Sequence, residues 1–355
     1  LVYADSNEVP PGVVLVTGAT GFVGGALVRR LLATGTPPER IRCLVRDPER
    51  AVGLGLPAAS LVPGDLGVAG GLDAAPSALR GVGAVVHLAG ALKGYRRAHF
   101  DGVNVAGTAA LVAAVAAHAP AAHFLCVSSL AAAGPSVDGR GSAAPPDVAR
   151  PVSWYGDSKR NGELAVVRSP LRWTIVRPPV VYGPGDAATR LLFAQANAPL
   201  VAVPRRTVPM SIVHVDDVVD ALRAALALRP VGAILPLDGP DRTDSHALLR
   251  AIAAACGRRA RLVPVPLPLA AFAARACDVV AALRGRAGFF SRDKVREIAA
   301  CGWVADGAPT AAALGVRPRV ALAAGLAAVA VTARAGSQDS ASRQATPPAA
   351  HGSCR

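Results

Sequence analysis

Tyr155 and Lys159 stand four residues apart in the string Trp154-Tyr155-Gly156-Asp157-Ser158-Lys159. On a helix, residues i and i+4 share a face, so the phenol and the ammonium project together. A phenol of pKa about 10 is a poor base at neutral pH, and a nearby cation favours its phenolate. The pair therefore suits proton exchange with a hydroxyl or carbonyl oxygen while hydride moves at the adjoining carbon. Such pairs also arise on plain helix surfaces. Here the spacing gains weight because only three of the 38 basic residues are Lys: Lys93, Lys159 and Lys294. Ser129 follows the apolar run His123-Phe124-Leu125-Cys126-Val127 and supplies a hydroxyl for the reacting oxygen, although a turn or cap hydroxyl would look the same. Ser129, Tyr155 and Lys159 form the candidate catalytic set.

Hydride chemistry needs a carrier, and the chain opens with a feature that could hold one. Val13-Val14-Leu15-Val16-Thr17 reads as a buried strand, followed by Gly18-Ala19-Thr20-Gly21-Phe22-Val23-Gly24 and a helical stretch from Gly24 to Thr34. Strand, glycine-rich turn and helix in that order are the context of a dinucleotide phosphate loop. Gly18 permits the sharp exit from the strand, Gly21 lets a pyrophosphate approach the backbone, and Gly24 allows close helix packing. The helix N-terminus offers free N–H groups to the phosphates. At the end of the second strand, Ile41–Val45, Arg46 is placed for a ribose 2′-phosphate and Asp47 for ribose hydroxyls. Arg46 comes first, which favours NADP(H) over NAD(H). As a plain surface residue it would carry no such meaning. Asp65-Leu66, after a short third strand at Ser60–Val62, could cap the adenine amino group.

Further strands are expected at Ala84–Leu88, His123–Val127 and Trp173–Arg177, with a long Ala-rich helix from about Val103 to Ala117. Alternating β and α with continuously apolar strands predicts an α/β fold, a Rossmann-type doubly wound parallel sheet. Beyond Arg177 prolines interrupt the rhythm. The expected organisation is a nucleotide-binding core over 12–177, a smaller substrate lobe over 178–334 interleaved with the last core elements, and a disordered polar tail over 335–355. Residues 184–206, and those from 238 onward, are expected to line the substrate pocket.

The net charge of +14 is carried almost wholly by Arg, spread without a run and without interleaved aromatics. That argues against a nucleic-acid platform and leaves a small molecule as the expected partner. The six cysteines make no C-x-x-C pair and none sits at zinc spacing to a His, so no metal site is expected. Unpaired cysteines fit a reducing, cytoplasmic setting. Leu1–Pro11 lacks the apolar core of a signal peptide. The apolar stretch 264–283 is broken by Arg275 and Asp278, and 320–331 is short, so no spanning segment is expected.

With these residues in place, the chain resembles the extended short-chain dehydrogenase/reductases, the NAD-dependent epimerase/dehydratase family, from about Val13 to Ala330. Thr17–Gly24 is similar to that family's nucleotide loop, His87-Leu88-Ala89-Gly90 to its fourth-strand motif and Asn104-Val105-Ala106-Gly107-Thr108 to its N-V-x-G-T helix. Val127-Ser128-Ser129, Trp154–Lys159, Arg177-Pro178-Pro179-Val180-Val181-Tyr182-Gly183 and Val213-His214-Val215-Asp216-Asp217-Val218 follow in family order. The resemblance implies catalytic roles for Ser129, Tyr155 and Lys159. It implies cofactor contacts by Gly18, Gly21, Phe22, Val23, Arg46, Asp65, Ala89, Lys159 and Pro178, and Gly24, Leu66, Gly90 and Asn104 from the same motifs complete the candidate set. Val45-Arg46-Asp47-Pro48 is similar to dihydroflavonol-reductase-like and hydroxysteroid-dehydrogenase-like members, which work on a hydroxyl/ketone pair. The Ala-rich Leu130–Gly134 segment departs from the usual V-Y-G of sugar-nucleotide enzymes. The leading expectation is an oxidoreductase interconverting a secondary alcohol and a ketone. A nucleotide-sugar epimerase or dehydratase holding NAD, and a non-catalytic NADP-binding sensor or assembly protein, are the alternatives. A homodimer through the two long core helices is implied by the resemblance alone.

Overall fold

A computed structural model describes residues 12–68, 71–72, 75–196, 198–285, 288 and 290–332. The expectations for residues 1–11 and for the tail at 335–355 lie outside that range.

Seven strands make one parallel sheet: β1 (Val13–Thr17), β2 (Ile41–Val45), β3 (Leu61–Pro63), β4 (Val82–His87), β5 (His123–Val127), β6 (Arg172–Arg177) and β7 (Ala233–Pro236). Their order across the sheet is β7-β6-β5-β4-β1-β2-β3, and every pairing is parallel. The order reverses between β1 and β4, the place where open α/β sheets bind ligands at their carboxyl ends. Alternate side chains of β1 feed two different cores. Val14 and Val16 pack with Leu27, Val28 and Leu31 of α1 (Phe22–Ala33) and with Val218 and Leu222 of a later helix, whereas Leu15 packs with Val85, Phe124, Leu111 and Val115. With both faces covered, the strands are predominantly apolar. α2 (Pro48–Gly53) follows β2 directly.

The long Ala-rich helix is present, but its first turns differ from a plain α-helix. Asp101–Gly107 is wound as a π-helix and α3 proper runs Thr108–His118. Such widened turns concentrate at functional sites. The continuous helix Arg97–His118 is long and apolar enough to cross a membrane, yet its Leu111, Val112 and Val115 are built into the second core. α4 (Trp154–Val167) carries the Tyr–Lys pair and joins the same core through Val166.

Past Arg177 the chain forms α5 (Val215–Leu228), returns to the sheet as β7, and continues as α6 (Ser245–Ala255), α7 (Leu267–Arg284) and α8 (Arg292–Ala299). A third core gathers Tyr182, Phe193, Val201, Ile212, Leu249 and Ile252 with Leu326 and Val329 of the apolar helix Leu322–Thr332. The Pro-punctuated stretch at 264–268 is more regular than its composition suggests: Leu262–Val265 is a short strand, and Pro268 occupies the first turn of α7, where proline's missing N–H costs nothing.

Candidate active site

The phosphate loop owes its shape to its glycines. Gly18 has φ +72°, and a Cβ there would sit 2.7 Å from the backbone of Leu88 and Ala89. A side chain at Gly24 would collide with the Gly18 carbonyl. The N–H of Gly21 closes the turn on Gly18 O at 2.9 Å, and α1 begins at Phe22, two residues earlier than the glycine pattern suggests. No side chain caps the α1 N-terminus, so its first N–H groups remain for an anion.

The ends of β2 and β3 divide their tasks. Asp47 is the N-cap of α2 and accepts from Arg50 N at 2.9 Å. Arg46 is exposed. Asp65 accepts from Gly67 N at 2.8 Å, which rounds the loop after β3, and the buried Leu66 packs in the second core.

Between β1, β4 and the π-turn runs a buried chain of hydrogen bonds whose polarity can be assigned. The Thr108 hydroxyl donates to Asn104 O at 2.8 Å, so it accepts from His87 Nε2–H at 2.9 Å. His87 Nδ1 then accepts from the Thr17 hydroxyl at 2.8 Å, and that oxygen accepts from Ala89 N–H at 3.1 Å. Burial, with Lys159 nearby, pushes the His87 pKa down to about 3, so the ring is neutral and its tautomer fixed. The Asn104 side chain is fully engaged: its Oδ1 accepts from Ala91 N at 2.7 Å, and its Nδ2 donates to Ala91 O at 3.1 Å and Ser158 Oγ at 2.9 Å. Asn104 thus fixes the Ala89–Ala91 segment against α4.

Ser129, Tyr155 and Lys159 converge at the carboxyl end of β5. Ser129 caps the short helix Leu130–Ala133, accepting from Ala131 N at 3.1 Å, so the cap and the candidate site use one hydroxyl. Lys159 is buried; its Nζ donates to Val127 O at 2.9 Å and lies near Gly90. The expected phenolate-stabilising field is not the leading influence on Tyr155. Burial pushes the phenol up to about 12, the neighbouring Ser129 hydroxyl pulls it partly back, and Glu297 raises it further. Lys159 is itself held below its ordinary pKa by burial. Both shifts favour the uncharged form of the group. The hydroxyl of Ser128, buried beside Ser129, has no hydrogen-bond partner among the described residues.

The N-terminus of α4 is held from the far end of the sequence. Asp293 of α8 accepts from Trp154 N at 2.6 Å and Tyr155 N at 3.2 Å. Ser153, the N-cap, accepts from Gly156 N at 2.9 Å and donates to Glu297 at 2.8 Å. Arg296 stacks on Trp154 at 5.1 Å. No local motif marks these carboxylates, which lie about 140 positions from the helix they cap. Asp293→Ala is expected to strip the first-turn N–H groups of their acceptor and cost about 1–2 kcal/mol, read as a lowered urea midpoint with unchanged slope. An unchanged midpoint would show that the cap is dispensable.

His214 caps α5, its Nδ1 accepting from Asp216 N at 3.3 Å. Among the described residues no group of three or more His, Cys, Asp or Glu could hold a metal. Cys43 and Cys126 are buried, and burial raises both thiols to about 12.

A glycine cradle at the switch point, an uncapped helix N-terminus and an orphaned hydroxyl at the sheet end fit a nicotinamide dinucleotide. Residues 14–234 match the NAD dependent epimerase/dehydratase family. The chain belongs to that family. Among its relatives, ceramide reductase of Caulobacter vibrioides (strain NA1000 / CB15N) is 36% identical over 307 residues, spanning 84% of this chain and 88% of that protein. MoeE5, solved in complex with UDP-glucose and NAD, matches with a TM-score of 0.68 at 25% identity over 92% of this chain and 99% of that one. RMD from Pseudomonas aeruginosa, complexed with NADPH, shares the fold with a TM-score of 0.66 at 19% identity, over 92% and 99% of the two chains. The family fold is thus an epimerase/dehydratase-type Rossmann sheet, and a nicotinamide nucleotide is its cofactor.

Proposed function

We propose that this chain is an NADPH-dependent reductase that converts a ketone on a ceramide-type lipid into the secondary alcohol. The observation that carries the reading is the 36% identity to ceramide reductase across most of both chains. The nicotinamide, when bound, supplies the hydride. Tyr155 gives its proton to the ketone oxygen, and Ser129 donates a hydrogen bond to the same oxygen, so charge on it is relieved as it becomes a hydroxyl. Lys159, anchored on Val127 O, sets a positive charge beside Gly90 and is recruited to the ribose side of the cofactor.

Gly18, Gly21, Gly24 and the α1 N-terminus at Phe22 and Val23 hold the pyrophosphate. Asp65 and Leu66 border the adenine, Ala89 and Gly90 the ribose side, and Pro178 the nicotinamide. Asn104 positions this wall through Ala91 instead of touching the cofactor with its amide. Arg46 grips the 2′-phosphate, and Asp47 beside it turns one carboxylate oxygen to the Arg50 N–H as the cap of α2. A cytoplasmic site of action supplies NADPH, and the core over 12–177 with the lobe over 178–334 divides cofactor from substrate.

Titration with NADPH and NADH, beside Arg46→Ala, tests the reading. NADPH is expected to bind at least tenfold tighter, roughly 1.4 kcal/mol, and the substitution to erase the gap. Equal affinities, or bound NAD⁺ surviving purification, would move the chain to the epimerase or dehydratase alternative.

A further inference from the structure

The helix α7 (Leu267–Arg284) is amphipathic in the wrong direction for a soluble surface. Only Ala274, Asp278 and Ala281 of its 18 residues are buried, one stripe at i, i+4 and i+7. At 100° per residue the opposite face carries Leu269, Phe272, Ala276, Val279, Val280 and Leu283. These are not grazing exposures: Leu283 is 83% exposed, Phe272 73%, Leu269 59% and Val279 55%. Arg275 and Arg284 flank this face on either side, and neither has an ion-pair partner among the described residues. The one acid of the helix, Asp278, is buried and accepts from Arg292 Nε at 2.8 Å. The outward face is therefore apolar at its crest, cationic at its edges and free of negative charge.

We propose that α7 is an interfacial docking helix that seats the enzyme on an anionic phospholipid bilayer. Outward leucines and phenylalanine bordered by arginines are what a helix lying in the headgroup plane requires, the crest entering the acyl boundary while the guanidinium groups meet phosphates. The net charge of +14 gives the same attraction at longer range. A second copy of this chain is a poorer occupant. Two-fold pairing of the face on itself would bring arginines toward arginines with no carboxylate between them.

The inference deepens the lipid-reductase reading and rests on it for the reason a bilayer is needed: a long-chain ketone resides there. The helix is also tied to the site. Asp278 binds Arg292 at the start of α8, and the next residue, Asp293, caps the helix bearing Tyr155. Between α7 and α8 lies an open groove of about 580 Å³, lined by Leu267, Phe272, Val295 and Arg296 among others, and Arg296 stacks on Trp154 beside Tyr155. A bilayer seated on α7 thus meets a groove whose inner wall is the helix that holds the candidate acid in place.

The test is flotation of the full chain with vesicles of equal phosphatidylglycerol and phosphatidylcholine, and with pure phosphatidylcholine. The chain is expected to float with the anionic vesicles. Leu269→Ser with Leu283→Ser, both already solvent-facing, should weaken vesicle affinity at least tenfold. Arg275→Gln with Arg284→Gln should remove the preference for anionic lipid. Both variants should keep NADPH affinity and turnover of a short-chain, water-soluble ketone. A chain that stays in the soluble fraction, or a serine variant that floats as well as the parent, would overturn the proposal. So would a dimer in sedimentation that the serine variant dissociates, because the face would then belong to a second copy. Flotation without NADPH binding or ketone turnover would leave the docking helix standing and sink the reductase reading instead.

Discussion

Tyr155→Phe is expected to lower kcat for NADPH-dependent ketone reduction by about 10³-fold, the scale of a lost general acid, while NADPH affinity stays within twofold. The substitution removes one oxygen and keeps the ring against Phe100, whose centroid lies 6.2 Å away. The backbone N–H of residue 155 still donates to Asp293. Folding and cofactor binding should therefore survive, and the loss should fall on the proton. The sign of the pH dependence follows from the phenol's position. Reduction needs the protonated form, and burial has pushed that group up to about 12, so its contribution is constant from pH 6 to 9 and is lost only as pH rises toward the folded pKa. The reverse oxidation needs the phenolate and should climb with pH over the same range. Steady-state rates in both directions, with NADPH binding measured separately, check this. A variant retaining more than a tenth of parental kcat would remove Tyr155 from the proton path.

How much of this was legible in the sequence depended on how local each cause is. β1, β2 and β5 fall on their expected residues because a strand covered on both faces is a predominantly apolar run, and Val13–Thr17, Ile41–Val45 and His123–Val127 are such runs, interrupted only by Arg42 and opened by His123 in the last two. β7 was not seen. Ala233–Pro236 is four residues between Gly232 and a proline-terminated end, and it is a strand only because Trp173–Arg177 is already there to pair with it. α7 lies in the apolar stretch 264–283, whose Arg275 and Asp278 argue against a spanning segment, and Pro268 marks its start. In the site, the glycines and the Tyr–Lys spacing were legible because each must meet a local backbone or helical constraint. The carboxylates of Asp293 and Glu297 were not, since they reach α4 only through the tertiary fold. The phenol's electrostatics are less local: spacing puts a lysine nearby, and burial, which belongs to the packed molecule, pushes the pKa up to about 12.

Glu163→Gln is expected to cost about 3–5 kcal/mol of folding free energy, the scale of a broken buried ion pair, and a large share of a typical domain's stability. Arg177 Nε and Nη2 donate to the two Glu163 oxygens at 2.9 and 2.6 Å, and both side chains are 0% exposed. The remaining guanidinium nitrogen donates to Ser142 O at 3.0 Å and Ala144 O at 2.7 Å. This one group therefore joins α4, β6 and the 142–144 loop. Glutamine keeps the shape but not the charge, so the guanidinium stays buried with only carbonyls for company, and the cost is chiefly that uncompensated cation. Arg177→Lys should not serve instead, because a point-like ammonium cannot bridge two carboxylate oxygens and two carbonyls in one plane. Glu163→Leu combined with Arg177→Leu discriminates: with both charges gone, most of the loss should return, although the 142–144 carbonyls lose their donor. Urea unfolding of the single and double variants measures the coupling directly. A double variant as unstable as Glu163→Gln would mean that the loop's hydrogen bonds, not the paired charges, hold α4 against the sheet.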